Sequence, residues 1–353
     1  MIDFFGPGYD AAERLGILPE LEAIHYPIAQ FTFLNSKGNE KFSLPYAPFR
    51  KRIFEDRHFN FMRGELEHVL YKKISKASVV RFGTTMESFQ QHVGCVEVGL
   101  SDQSRCQVDL LVGADGIHSV VRELAFGKAS KYTQFLGYHA LAFFVTDPEV
   151  TGQTQNTVYT MTIPGKQVSI YPVRGNRRAT LFLHRRAQPS SDFSNTAGLA
   201  ELRRTYHGMG WIIPRLLEQS GQRTGMYFDA VSQIVLPSWS KGRVVLIGDA
   251  CHCVSLVAGQ GASLAMAGAY VLYHELVRSG HTVAAALSKY ERRLRPVIES
   301  KQRDGRNLAR WFVPDSMFKI ELRDLLLRTS TWPIASRLIR RQVGALHTML
   351  FES

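Results

Sequence analysis

Gly242–Leu276 reads GRVVLIGDACHCVSLVAGQGASLAMAGAYVLYHEL, and the fold of the chain turns on how this stretch is divided. Arg243–Ile247 is a short apolar run, rich in β-branched residues, of the kind that fills a buried strand of a parallel sheet. Gly248-Asp249 ends it. A loop is expected over Ala250–Val257, leading to Ala258-Gly259-Gln260-Gly261, and the alanine-rich segment from Ala262 is a good helix former. The Asp249 carboxylate then stands at the carboxyl end of a strand, where open α/β sheets bind ligands. Gly259 and Gly261 open a helix N-terminus with bare backbone N–H groups, a place that receives a negatively charged ligand group. Asp249 can accept hydrogen bonds from a sugar-like polyol there. A purely structural strand–turn–helix with a capping aspartate fits the same residues, and both readings stand on this stretch alone.

The 353 residues can bury a large core and are expected to form two lobes. A content of 45% hydrophobic and 21% charged residues is that of a globular protein and excludes a disordered one. The net charge of +12 admits nucleic acid, a membrane surface or an anionic ligand as partner. No long Lys/Arg block or zinc-finger spacing accompanies it, so a diffuse basic surface with no nucleic-acid partner is expected. Four cysteines, Cys95, Cys106, Cys251 and Cys253, are too few for a disulfide scaffold of this size. A reducing, cytoplasmic location follows as the expectation. Cys251-His252-Cys253 has the wrong spacing for a CxxC pair and no second Cys/His cluster to complete it, so no metal site is expected. No apolar run reaches ~18 residues, so no transmembrane segment is expected, and the N-terminal residues carry no signal-peptide pattern.

Along the chain, Met1–Phe5 is apolar and extended, Gly6-Pro7-Gly8 turns, and Tyr9–Leu15 suits a helix stopped by Gly16. Gln30–Leu34 and Glu40–Leu44 suit two strands around a Ser36-Lys37-Gly38 turn. In Phe59–Ile74, Leu66, Val69, Leu70 and Ile74 fall at helical spacing. Arg63 heads that helix, where a cation opposes the helix dipole unless an anion sits nearby; solvation, or a pair with Glu67, explains it equally well. Strands are expected at VVRF (79–82), VEVGL (96–100) and CQVDLLVG (106–113). Ala114-Asp115-Gly116 follows the last, and Ser119 suits an N-cap. Asp115 is either a turn residue beside a glycine or a ligand contact. From Tyr132 to Val235, LAFFV, TVYTMTI, QVSIYPV and ATLFLH follow one another as an antiparallel sheet. Its aromatics, Phe143, Tyr159, Tyr171 and Phe182, line a pocket or fill the core. Leu199–Gln219 is helical with breaks at Gly208, Gly210 and Pro214. Thr282–Leu308 is helical with Pro296 expected to kink or divide it. Asp315–Leu350 is helical and arginine-rich, set to pack on the domain or to lie on a membrane or partner.

Three of these motifs together carry a resemblance. Gly248-Asp249 with Ala258-Gly259-Gln260-Gly261 resembles the second flavin motif of the FAD-dependent class A aromatic hydroxylases, the family of p-hydroxybenzoate hydroxylase and the tetracycline-inactivating monooxygenases. Gly113-Ala114-Asp115-Gly116 with Arg122 resembles that family's Asp-Gly motif. Arg63 matches the Arg of its R-x-x-L-x-x-x-L helix. The resemblance covers roughly residues 1–310 and implies an α/β, Rossmann-like FAD-binding domain with an inserted antiparallel-sheet substrate domain and C-terminal helices. The implied boundaries are 1–130 and 237–300 for the two parts of the FAD-binding domain, 131–236 for the substrate domain and 301–353 for the C-terminal helices.

The resemblance implies FAD as cofactor, held by Arg63, Asp115, Asp249, Gly259, Gln260, Gly261 and Ala262, with NADH or NADPH as cosubstrate. The implied reaction is oxygen transfer from a flavin C4a-hydroperoxide to an aromatic or polyketide-like small molecule, in a monomer or homodimer. No catalytic base can be named. The family opens with a strand, a G-x-G-x-x-G turn and a helix that hold the ADP part of FAD. No such unit is present: in Gly6-Pro7-Gly8 the third glycine falls at Ala11. The first βαβ unit is therefore expected to be missing. Ser255-Leu256 also stands where relatives often carry proline. Two alternatives follow: an FAD-deficient, non-catalytic fragment of such an enzyme, or a related flavin reductase or dehydrogenase that does not oxygenate.

Overall fold

The computed structural model describes residues 1–74, 78–154, 156–220, 225–280, 282–330 and 332–342. The first segment forms β1 (Ile2–Phe5), α1 (Pro7–Arg14), α2 (Leu18–Ile24), β2 (Gln30–Leu34), β3 (Glu40–Pro45), α3 (Tyr46–Phe54), β4 (His58–Phe61) and α4 (Arg63–Ile74). Next come β5 (Met86–Gln91), β6 (Val96–Leu100), β7 (Arg105–Val108), β8 (Leu111–Gly113) and α5 (Val120–Phe126). The middle of the chain forms β9 (Thr133–Val145), α6 (Pro148–Gln153), β10 (Thr157–Ile163), β11 (Lys166–Val173), β12 (Arg177–Arg185), α7 (Asn195–Tyr206), α8 (Ile213–Ser220) and β13 (Tyr227–Ile234). The remainder forms β14 (Ser240–Lys241), β15 (Val244–Leu246), α9 (Asp249–His252), α10 (Gly261–Arg278), α11 (Val283–Phe312), α12 (Met317–Arg328) and α13 (Pro333–Gln342).

Two parallel strands fix the first lobe. β15 pairs parallel with β8, Leu246 opposite Gly113, and antiparallel with β14. Val244, Val245 and Leu246 are all fully buried, as an unbroken apolar strand covered on both faces should be. Leu264, Ala267 and Val271 of α10 and Leu287, Tyr290 and Leu294 of α11 complete that core. β8 is the last strand of this three-stranded sheet, and among the described residues nothing pairs with its outer edge. The start of the chain docks on α10 by close backbone approach. A Cβ on Gly8 would lie 2.4 Å from Ser263 Cα, so α1 can rest there only with glycine at this position.

The second lobe is a seven-stranded sheet in the order β13-β9-β12-β11-β10-β2-β3. The strands from residues 131–236 are antiparallel to one another as expected. β2 and β3 widen the sheet, β2 joining β10 in parallel. Side chains alternate between two faces. Phe143 and Phe182 point into a core closed by Leu202, Tyr206 and Leu216 of α7 and α8, and Tyr159 packs against it. Tyr171, with Phe144, faces the other way, toward Ala262 and Met266 of α10. Of the four aromatics read from the sequence, only Tyr171 can line the space between the lobes.

Several expected elements differ in place. The first helix starts at Pro7, not Tyr9, because proline suits the first helical position. VVRF is not a strand: Val79 is 89% exposed, and the strand that pairs with β6 is Met86–Gln91. CQVDLLVG splits at Asp109. Its first half stays in the β5-β6-β7 hairpins and its second half joins β15, with Arg243 reaching across from Nη1 to the Asp109 carbonyl at 2.8 Å. The expected loop over Ala250–Val257 contains α9 and a 3-10 turn at Leu256–Ala258. α11 runs through Pro296 undivided, flanked by the buried Leu294 and Ile298, whose packing outweighs the lost hydrogen bond. The end of the expected Asp315–Leu350 helix, from residue 343, lies outside the described residues.

Candidate cofactor site

The site lies where β15 and β8 end side by side. Gly248 leaves β15 at φ 59°, a turn that favours glycine, and its missing Cβ leaves room for Ala265 of α10. The turn delivers Asp249, half-buried, to the first turn of α9 and against the first residue of α10. Both Asp249 carboxylate oxygens lie 3.6 Å from where a Cβ on Gly261 would be. Burial raises the Asp249 pKa above the ordinary carboxylate value, while a hydrogen bond with Cys253 and the Arg63 charge work against that rise. Arg63 is exposed at the head of α4, and among the described residues it forms no ion pair with Glu67 or any other acid. Its charge is felt at Asp249 and acts to lower that carboxyl's pKa.

Gly259 adopts φ 65° and Gln260 caps α10, whose helix begins at Gly261 and Ala262. This is the bare helix start that the two glycines suggested. Ser255, in the preceding loop, holds φ 141°, a conformation that L side chains rarely adopt. Its Oγ accepts from the Val257 N–H at 3.2 Å and so ties the turn that leads to Gly259. The site is built partly on strained backbone, a common trait of ligand-binding loops.

Asp115 does local work. Its Oδ2 accepts from the Val121 N–H at 3.0 Å and its Oδ1 from the Ser119 hydroxyl, so it caps α5 together with Ser119, whose Oγ accepts from Arg122 N–H at 2.9 Å. Arg122 is 1% exposed and joins the two strand-end loops. Its Nη2 donates to the Ile117 carbonyl at 2.7 Å and its Nη1 to the Ala250 carbonyl at 3.0 Å. The Asp-Gly motif is thereby a clamp on the Asp249 turn. Cys251 and Cys253 do not converge: their thiols donate to the Leu246 and Ser232 carbonyls.

Sequence reading missed other polar groups here. Asp3 lies 3.4 Å from where a Cβ on Gly259 would be, and His58 Nε2 stands 3.1 Å from its other oxygen. His118 Nε2 meets Asp229 Oδ2 at 3.0 Å, linking the Asp-Gly loop to β13 of the second lobe. No spacing rule connects residues 111 positions apart, so no sequence signal could have found that pair. His139, His184 and Glu201 gather in the second lobe with a metal-like donor set. Ser190 N–H donates to His139 Nε2 and the Tyr206 hydroxyl bonds His184 Nδ1, while His139 Nδ1 lies 3.6 Å from Glu201 Oε1 and has no hydrogen-bond partner among the described residues. The remaining ring N–H groups then face Glu201, which also carries Arg186 and Arg204. That is a carboxylate hub, not a lone-pair cage for a cation.

The residues fit the flavin end of FAD: a half-buried carboxylate, a helix start with no Cβ, and an exposed arginine whose charge is felt at that carboxylate. A family model described as an FAD binding domain matches residues 14–303. The chain belongs to the FAD-dependent class A monooxygenase family. Within it, the chain is 30% identical over 320 residues to the uncharacterized protein Rv1260 of Mycobacterium tuberculosis (strain ATCC 25618 / H37Rv), covering 90% of this chain and 82% of that one. It is 29% identical over 306 residues to a flavin-dependent monooxygenase of Legionella longbeachae, covering 86% of this chain and 77% of that protein. Among solved structures, the tetracycline destructase Tet(55) superposes with a TM-score of 0.83 at 25% identity, over 100% of this chain and 88% of that one. HpxO of Klebsiella pneumoniae, solved with FAD and uric acid, shares the fold with a TM-score of 0.78 at 23% identity, over 98% of this chain and 87% of that one. FAD is thus the cofactor of the family.

Proposed function

We propose that the chain is a monooxygenase that uses NADH or NADPH and O₂ to hydroxylate an aromatic or polyketide-like small molecule. The observation that carries this reading is the seating of Asp249 against Gly261 at the start of α10. Bound FAD would supply the redox chemistry, taking electrons from the nicotinamide and activating O₂. Asp249 would hold the sugar-like part of the cofactor as a hydrogen-bond acceptor. The N–H groups of Gly259, Gln260, Gly261 and Ala262, at the start of α10, would hold negatively charged parts of the cofactor. Arg63 adds positive charge on the same side, and Asp115 acts through the α5 cap and Arg122. Tyr171 and Phe144, on the face of the second lobe turned toward α10, offer an apolar wall for a planar substrate. The protein acts as a monomer or homodimer, and its unpaired cysteines are in keeping with a reducing, cytoplasmic setting.

The test begins with the purified chain and FAD: flavin absorbance that survives gel filtration, then oxidation of NADH or NADPH stimulated by phenols, quinones or enolic polyketides, with a product one oxygen heavier. Oxygenation of amines or thioethers alone would overturn the substrate class. A colourless protein would favour an FAD-deficient binding protein. That second reading draws on the open outer edge of β8. Nicotinamide oxidation and O₂ uptake with no hydroxylated product would point to a flavin reductase or dehydrogenase.

A further inference from the structure

The helices α12 and α13 present an apolar stripe to solvent that the cofactor site does not use. On α12, Ile320, Arg323, Asp324 and Leu327 are buried, while Phe318, Leu322 and Leu325 stand exposed at i, i+4 and i+7. The next helix repeats the arrangement. Ala335 and Ile339 of α13 are buried, and Ile334 and Leu338 are exposed four residues apart. Trp332, at the turn between them, is 67% exposed, and Phe318 is 76% exposed. Single exposed apolar residues are ordinary on a protein surface, but two consecutive helices with outward stripes are not.

The charges around the stripe select the partner. Asp324 pairs with Arg323 and Lys41, Glu321 with Lys41, and Asp315 with Lys319 and Arg185. The acids of these helices are therefore compensated. Arg328 and Arg337 are exposed and, among the described residues, form no ion pair; the Arg328 guanidinium lies over the Phe42 ring and donates to the Lys41 carbonyl at 3.0 Å, while its charge stays uncompensated. The whole chain carries a net charge of +12. A second copy would set like charges against each other, and nucleic acid would leave the apolar stripe unused. We propose that α12 and α13 dock the protein on an anionic lipid surface, the stripe entering the headgroup–acyl boundary and the arginines meeting acidic headgroups. Among the described residues no helix is long and apolar enough to cross a membrane, so the association is peripheral.

The experiment is co-sedimentation of the full chain with vesicles of phosphatidylglycerol and phosphatidylcholine, against vesicles of phosphatidylcholine alone. The expected result is binding to the anionic vesicles only, weakening as salt is added, with a blue shift of tryptophan emission that Trp332→Phe removes. Leu325→Asp with Ile334→Asp should cut the partition coefficient about tenfold or more, and Arg337→Gln a few-fold. These positions are exposed, so the melting temperature should hold; if the double variant fails to fold, Leu325→Gln alone carries the test. Absence of binding to anionic vesicles overturns the proposal. So does equal binding to neutral vesicles, or a lipid-free dimer that the Leu325 and Ile334 substitutions dissociate.

Discussion

Both carboxylate oxygens of Asp249 lie 3.6 Å from the point a Cβ would occupy on Gly261. The acid that ends one secondary-structure unit therefore touches the first residue of the next, and a ligand bridging them is held by a side chain and by a helix start at once. Asp249→Ala removes a charge-assisted acceptor worth ~1.5–3 kcal/mol. Flavin affinity should fall about 10- to 100-fold, with the far-ultraviolet circular dichroism unchanged. Titration of the apoprotein with FAD measures this directly, and unaltered flavin retention would end the case for Asp249.

Arg122 is the support beneath that contact. Buried and, among the described residues, in no ion pair, it holds the Ile117 carbonyl of the loop after β8 and the Ala250 carbonyl of α9. Arg122→Met keeps much of the volume and strands both carbonyls. The expected cost is about 2–4 kcal/mol, seen as a drop of several degrees in melting temperature. Flavin affinity should fall with it, because Arg122 holds the Ala250 carbonyl next to Asp249. A variant that melts with the wild type while binding less flavin would instead make Arg122 a direct contact.

The legible and illegible parts of this chain divide along a physical line. The strand, turn and helix around Gly248-Asp249 and Gly259–Ala262 could be read because β-branched burial, positive φ and helix propensity are local. The α5 cap was half-legible: Ser119 stood out as an N-cap, but nothing in the sequence showed that Asp115 bonds Ser119 and the Val121 N–H as part of the same cap. The parallel pairing of β2 with β10 joins Gln30 to Thr157, and the His118–Asp229 contact joins two lobes. Neither leaves a periodic trace. VVRF misled because β-branched residues favour strands only where a neighbour exists to pair and pack with them.

Acid should destabilise the fold through His252. It is buried beneath Trp239, its Nε2 has no hydrogen-bond partner, and burial pushes its pKa down from 6.5 to about 4. In the unfolded chain the same ring takes up a proton near pH 6.5. Between these values the unfolded state binds more protons, so stability is full above pH 6.5 and declines as the pH falls toward 4. The loss is on the order of 3 kcal/mol for a shift of this size. His184, pushed down to about 4 mainly by burial, adds a decline in the same window. Urea unfolding at pH 7 and pH 5 should show a smaller difference in His252→Leu than in the wild type. Equal differences would mean that His252 reaches solvent.

The outer edge of β8 sets the last expectation. Leu111–Gly113 has β15 on one side and, among the described residues, no strand on the other. Val112 is 39% exposed there, beside Val120 and Leu124 of α5, which are also exposed. An open edge of this kind carries unpaired N–H and C=O groups and invites association with other chains. With this edge open, the chain should aggregate on warming. Extending it at its N-terminus with a strand, glycine-rich turn and helix of about 30 residues from a family member should pair the edge and cover the apolar side chains. Flavin content per chain and melting temperature should both rise, because such a unit can supply more than the ~5–15 kcal/mol by which a whole domain is stable. If the 353-residue chain instead purifies as a monodisperse protein with one FAD per chain, the adenosine end is held elsewhere, and the edge of β8 is closed by something other than a strand.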